Sequence, residues 1–113
     1  DVAGLIRSID YSATAALERA LKSAPDEQGK IARALHGWRE RSADAFLSAY
    51  RQSLHATGLW PSSQQEANRL LDFFLLEKAF YEIEYELAHR PDWLRVPLAG
   101  TLQILAHSED RPQ

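Results

Sequence analysis

The sequence predicts an all-α fold of four to five helices, and three observations carry that reading. Apolar residues recur at steps of three and four over most of the 113-residue chain, the spacing that lines one face of an α-helix. No stretch alternates β-branched and polar residues with period two, as a half-buried strand requires. Helix-stopping residues fall at Pro25, Gly58, Pro61 and Pro91, dividing the periodic pattern into segments of ordinary helix length.

The first segment runs from about Asp1 to Ser23, with Asp1 in an N-cap position and an apolar stripe of Val2, Leu5, Ile6, Ile9, Ala13, Ala16, Leu17 and Leu21. Pro25-Asp26 ends it. A second helix is expected from about Glu27 to Thr57, with Ile31, Leu35, Trp38, Ala45, Phe46, Ala49 and Leu54 on its packing side. Gly58 stops it, because glycine accepts the left-handed conformation that closes many helices. Gly37 costs about 1 kcal/mol relative to Ala inside a helix, which makes it the weak point of this helix, with a bend or a break into two helices there as the alternative to one continuous helix.

Ser63 and Glu66 stand at capping-box spacing and start a third helix that reaches about His89. Its first half is apolar on more than one side, at Leu70, Leu71, Phe73, Phe74, Leu75 and Leu76. A central helix with several covering neighbours is the expectation. Arg90-Pro91-Asp92-Trp93 breaks the chain. A short last helix from about Pro97 to His107 carries Leu98, Leu102, Ile104 and Leu105, and the tail from Ser108 is expected to fray. The whole chain reads as a single helical unit.

Composition narrows the function classes. With 45% hydrophobic and 26% charged residues the chain resembles folded globular proteins and not disordered ones. A net charge of −3, with no local run of Lys or Arg, argues against nucleic acid and membrane surfaces as partners. The longest apolar run, Phe73 to Leu76, is far shorter than the roughly 20 residues of a spanning helix. The absence of cysteine excludes disulfides and fits a cytoplasmic location. No methionine occurs, even at position 1, so the chain is expected to be a fragment of a longer protein.

Several strings look chemical without supplying chemistry. His36-Gly37 resembles the opening of a sugar-kinase catalytic loop, but Trp38 stands where the catalytic Asp belongs. Asp72-Phe73-Phe74 lacks the glycine of a metal-binding Asp-Phe-Gly. Phosphoryl transfer needs a carboxylate at the acceptor and metal ligands on loops, whereas both strings lie within helical patterns. His36 and Glu40 share a helix face at metal-ligand spacing, a pairing read as solvated. His55, His89 and His107 are far apart. An independent enzyme is not expected, and no metal or cofactor is assigned to this chain.

The most informative stretch is Leu70 to Leu105. Leu76, Ala79, Phe80, Ile83 and Leu87 form one apolar stripe. A second face runs Phe74, Lys78, Tyr81, Tyr85 and His89, with Glu77, Glu82 and Glu86 beside it. Tyrosines mixed with carboxylates suit a sugar, whose ring offers an apolar face and whose hydroxyls seek acceptors. The same tyrosines also suit packing at a domain boundary with wet hydroxyls.

From Phe74 to Leu98 the sequence resembles the C-terminal signature of maltokinases, including the kinase part of trehalose synthase/maltokinase fusions. The matching elements are Lys78-Ala79, the pairs Tyr81-Glu82 and Tyr85-Glu86, the turn Arg90-Pro91-Asp92-Trp93, and Val96-Pro97-Leu98. The start, Asp1 to Tyr11, is similar to the segment after that family's metal-binding loop, while 23–62 matches only as helical filler.

The resemblance implies a helical C-terminal subdomain of a kinase-like C-lobe, resembling aminoglycoside phosphotransferases. The longer parent would convert ATP and maltose to maltose 1-phosphate, with ATP and magnesium held upstream. It further implies that Asp1 buttresses the catalytic loop. Tyr81, Glu82 and Tyr85 would line the sugar pocket, joined by Lys78 and Arg90. Implied partners are a maltose-like sugar and the remainder of the kinase. The isolated chain is expected to be non-catalytic and to self-associate through uncovered faces, Leu70 to Leu76 among them. A free-standing protein-interaction module is the competing reading.

Overall fold

The structure, a computed structural model, describes residues 2–110, with side chains described through residue 107. The described residues form four helices: α1 (Val2–Ser23), α2 (Gln28–His55), α3 (Gln64–His89) and α4 (Arg95–Asp110). Short 3-10 turns at Pro25–Glu27 and Pro91–Trp93 join α1 to α2 and α3 to α4. No strand occurs among the described residues, so the all-α expectation holds.

Local chemistry accounts for each boundary. Ala24, preceding Pro25, takes φ −143° and ψ 68°, and Arg90, preceding Pro91, takes φ −141° and ψ 72°. Each leaves the helical region as steric conflict with the following proline ring demands. Gly58 has φ +72° after α2, while Thr57 donates its hydroxyl to the Leu54 carbonyl at 2.6 Å. Ser63 is extended and its hydroxyl accepts from the Glu66 N–H at 3.3 Å, as its spacing predicts. Pro97 lies in the first turn of α4, where its missing N–H costs no helical hydrogen bond.

One alternative is settled and two expectations need correction. Gly37 interrupts nothing, because α2 is one continuous helix through it. α4 begins at Arg95, two residues before Pro97, and its backbone stays helical through the first residues assigned to the tail; residues 111–113 lie outside the described residues, as does the N-cap role of Asp1. α3 is not the central helix. α1 packs against all three others, whereas α3 packs against α1 and α4 only, and α2 stands off from both α3 and α4.

The packing face of α2 also differs from its expected one. Trp38, Ala45 and Ala49 are exposed, while Ala32, Leu35, Arg39, Ala43, Phe46 and Leu47 are partly covered. Leu35, Arg39 and Phe46 recur at helical spacing on the side that meets α1. Apolarity alone pointed to Trp38, but the neighbour on α1 is Asp10, which selects Arg39.

The bundle is open. Its radius of gyration is 15.7 Å, against roughly 13 Å for a compact chain of this length. The apolar core is thin, consisting mainly of Ala3, Ala13, Ala67, Leu75, Ala79 and Val96, and it encloses Arg7, Asp72 and Glu86. Many large apolar side chains of α3 and α4 remain exposed. Among the described residues no helix is long and apolar enough to cross a membrane.

Candidate functional site

Helical spacing on α3 creates two distinct surfaces around the sequence-predicted residues. Tyr81, Tyr85 and His89 follow one another at four-residue steps, so their side chains stand in a row along the helix. The Tyr81 and Tyr85 rings are 6.5 Å apart and inclined by 20°. The Tyr85 and His89 rings are 4.4 Å apart and inclined by 16°. His89 Nδ1 lies 3.0 Å from the Tyr85 carbonyl oxygen, which fixes the imidazole over the phenol. Tyr81 is 65% and Tyr85 43% exposed, so the row presents an aromatic strip to solvent. Lys78 precedes it one turn earlier and is partly covered.

The other surface of α3 is turned inward and is polar. Arg7, buried on α1, donates through Nε to Glu82 Oε1 at 2.9 Å, and its Nη2 lies 2.8 Å from the same oxygen without hydrogen-bonding alignment. Arg7 also pairs with Asp10 one turn along α1, and Asp10 in turn binds Arg39 of α2. Arg39 Nη2 donates to Gln103 of α4 at 2.6 Å. These contacts tie all four helices together, consistent with the rule that buried charge must be paired. Gly100 is the complement of Arg7: a Cβ there would come within 2.8 Å of the guanidinium carbon.

A second charged unit lies one turn further along α3. Arg90 grips Glu86 with two bonds of 2.9 Å, from Nε to Oε1 and from Nη2 to Oε2. The Tyr11 hydroxyl donates to Glu86 Oε2, also at 2.9 Å. The Arg90 hydrogen bonds hold the Glu86 carboxyl below its ordinary value; burial opposes this and the Tyr11 hydroxyl assists. Burial, followed by the bond to Glu86, pushes the Tyr11 phenol well above its ordinary value. Arg90 in turn lies 5.0 Å over the ring of Trp93, and Trp93 stacks on Tyr11 at 6.0 Å. Both oxygens of Glu86 are occupied, so it is unsuited to act as a base.

The sequence-predicted residues therefore separate. Tyr81 and Tyr85 stand together facing solvent. Glu82 and Arg90 are engaged in interhelical and turn contacts, beneath and beyond the strip. Asp1 lies outside the described residues. His36 lines a cleft of about 390 Å³ between α1, α2 and α4, and Glu40 pairs with Arg39 at 3.1 Å. Among the described residues no group of three or more His, Cys, Asp or Glu is placed to hold a metal ion.

Sequence reasoning missed Arg7, Asp10, Tyr11 and Arg39. The available signal was their spacing: Ala3, Arg7, Asp10 and Thr14 continue one helical face, and a charged residue on such a face implies a buried partner. A larger cleft of about 580 Å³ lies between the end of α2 and the start of α3 and includes Trp60, Asp44, Arg51 and Phe74 in its wall. The tyrosine strip is not part of either cleft's lining.

No protein-family model matches this chain, and no solved structure matches it.

Proposed function

We propose that this chain is the sugar-side helical part of a maltokinase-like kinase, non-catalytic by itself, whose aromatic strip on α3 meets the sugar. The exposed, near-parallel Tyr81 and Tyr85 rings are the observation that carries the proposal. Tyr81, the more exposed of the two, offers apolar ring area to a pyranose, and both phenols offer hydroxyls to its edge. The resemblance of Phe74 to Leu98 to the maltokinase signature supports the same assignment.

In this reading Glu82 and Arg90 act on the sugar indirectly, by fixing α3 against α1 and the turn that follows it. Lys78, at the head of the strip, is the basic residue nearest in sequence to Tyr81. ATP and magnesium would be held by other parts of a longer cytoplasmic enzyme that forms maltose 1-phosphate.

The test is made in a longer protein that carries this segment. Tyr85→Ala and Tyr81→Ala are each expected to raise the maltose KM about tenfold and leave the ATP KM unchanged, with the Phe variants milder. Unchanged maltose kinetics in both alanine variants would overturn the assignment. The purified 113-residue chain is expected to show no ATP-dependent phosphorylation of maltose, and turnover free of contaminating kinase would overturn it equally.

The exposed apolar residues of α3 and α4 favour a second reading, a free-standing interaction module. A coding frame that continues upstream into a His-Gly-Asp loop supports the kinase reading. A start codon immediately before Asp1 supports the module.

A further inference from the structure

A third surface of α3 belongs neither to the tyrosine strip nor to the buried network. Phe73, Phe80 and Leu87 follow at seven-residue steps, with Leu76 and Ile83 between them. That is the spacing of the two seam positions of a coiled coil, where a seven-residue step returns to within about 20° of the same helix face. The three outer residues are bare: Phe73 is 59%, Phe80 56% and Leu87 58% exposed. Leu76 and Ile83 are only partly covered.

α4 carries exposed apolar residues of its own. It packs along α3 after a tight turn, and Leu98, Leu102 and Leu105 lie on its exposed side, Leu102 being 70% exposed. A monomer seldom leaves so many large apolar side chains uncovered along one pair of helices.

We propose that this α3/α4 face binds a second copy of the chain, with the two α3 helices antiparallel about a two-fold axis near Phe80. The pattern is self-complementary in that orientation. Phe80 meets Phe80, and Phe73 meets Leu87 of the second copy, so all three bare residues of each α3 are covered at once. Charge fits the same register. Arg69 stands one turn before Phe73 and Asp92 in the turn beyond Leu87; both are exposed, and neither makes an ion pair among the described residues. An antiparallel pairing centred on Phe80 brings the start of α3, which carries Arg69, to the second copy's Pro91–Trp93 turn, which carries Asp92, at both ends. A parallel pairing would set each against its own kind.

The same register brings Glu77 toward Glu84 of the second copy along the solvent rim. These like charges oppose association, so Glu84→Gln is expected to tighten it. An isologous two-fold contact closes on itself and ends at the dimer. The proposal rests on exposure, register and charge, and is independent of the kinase reading.

Sedimentation equilibrium of the 12.8 kDa chain over a wide concentration range reads the outcome. A reversible monomer–dimer equilibrium is expected. Phe80→Glu should weaken it about 30-fold or more, as loss of a central interface residue does, with helix content by circular dichroism unchanged. Arg69→Asp and Asp92→Arg should each weaken it, and their combination should restore it. Because the chain has no cysteine, Phe80→Cys adds a second measurement: mild oxidation should give a disulfide-linked dimer, whereas Phe74→Cys, on the opposite flank of α3, should link far more slowly. A monomer at all concentrations, a dimer indifferent to Phe80→Glu, or faster linking at position 74 would each overturn the proposal, and would assign the face to another protein or to a different pairing.

Discussion

Single residues join the helices of this bundle through charge as well as through apolar packing. Arg7 fills the space that Gly100 leaves, so Gly100→Ala should destabilise the fold by about 1–3 kcal/mol, the usual cost of overpacking. Chemical denaturation checks this, and wild-type stability in Gly100→Ala would mean that the guanidinium has room to move. Glu86 ties the fold to pH. Its carboxyl is held below the ordinary 4.5, chiefly by Arg90, so its stabilising contribution is complete above pH 4.5 and is lost as pH falls through the lower folded value. Tyr11, raised above its ordinary 10.0 chiefly by burial, contributes stability that is complete below pH 10 and lost as pH rises past it. Glu86→Gln should therefore flatten the acid limb of a stability–pH profile, and Tyr11→Phe should flatten the alkaline limb. Profiles parallel to wild type would remove both residues from the network. Tyr81 and Tyr85 were legible as candidates because side-chain chemistry shows in residue type. Arg7 and Arg39 were not, because an apolar stripe is traced by skipping charged positions, and only the folded partner explains why a cation sits on a buried face.

Helix boundaries were the most legible part of the chain, since each is set within a few residues by a proline, a glycine or a capping hydroxyl. Ser63 shows this plainly: its spacing from Glu66 predicted the cap, and the hydroxyl accepts the Glu66 N–H. Ser63→Ala should cost about 1 kcal/mol, the usual value of a lost N-cap, while Ser62→Ala serves as the control. Gly37 shows where local reasoning stops. Its helix penalty is real, yet α2 continues through it, with Leu35 and Arg39 partly covered on the side that meets α1. A Cβ at Gly37 would lie 3.0 Å from Arg41 Nη1, the free end of a flexible side chain. Gly37→Ala should accordingly stabilise the fold by up to about 1 kcal/mol. A loss of stability would show that Arg41 is unable to yield.

At the scale of the whole molecule, the uneven covering of the helices makes stability uneven as well. The sequence indicated how many helices form and where they end, but which faces they cover depends on contacts between distant segments, and here expectation and structure part. α3 was expected at the centre because its first half is apolar on more than one side; α1 occupies that place, and its Arg7, Asp10 and Tyr11 reach partners on two other helices. α2 stands at the opposite extreme. None of its residues is fully buried, and it packs on α1 alone among the helices. α3, by contrast, has Ala79 and Glu86 wholly enclosed and bears on both α1 and α4. A helix with few buried apolar contacts opens at lower free energy than the global transition, so α2 should detach as a unit while α1, α3 and α4 stay assembled. Arg39 is its main tether, through Asp10 and Gln103, and lies in its first half. The second half of α2 is held by the ring contact of Tyr50 with Trp60 and by the exposed hydrogen bond from Arg51 to Gln64, and should open first. Native-state hydrogen exchange at low denaturant measures this order directly. Amides around Ala79 should exchange only with global unfolding, those near Leu35 by an opening of lower energy, and those near Tyr50 by the lowest. Arg39→Gln should speed exchange throughout α2 and leave α3 unchanged. Equal protection of α2 and α3, or equal acceleration of both by Arg39→Gln, would mean that the four helices open as a single unit.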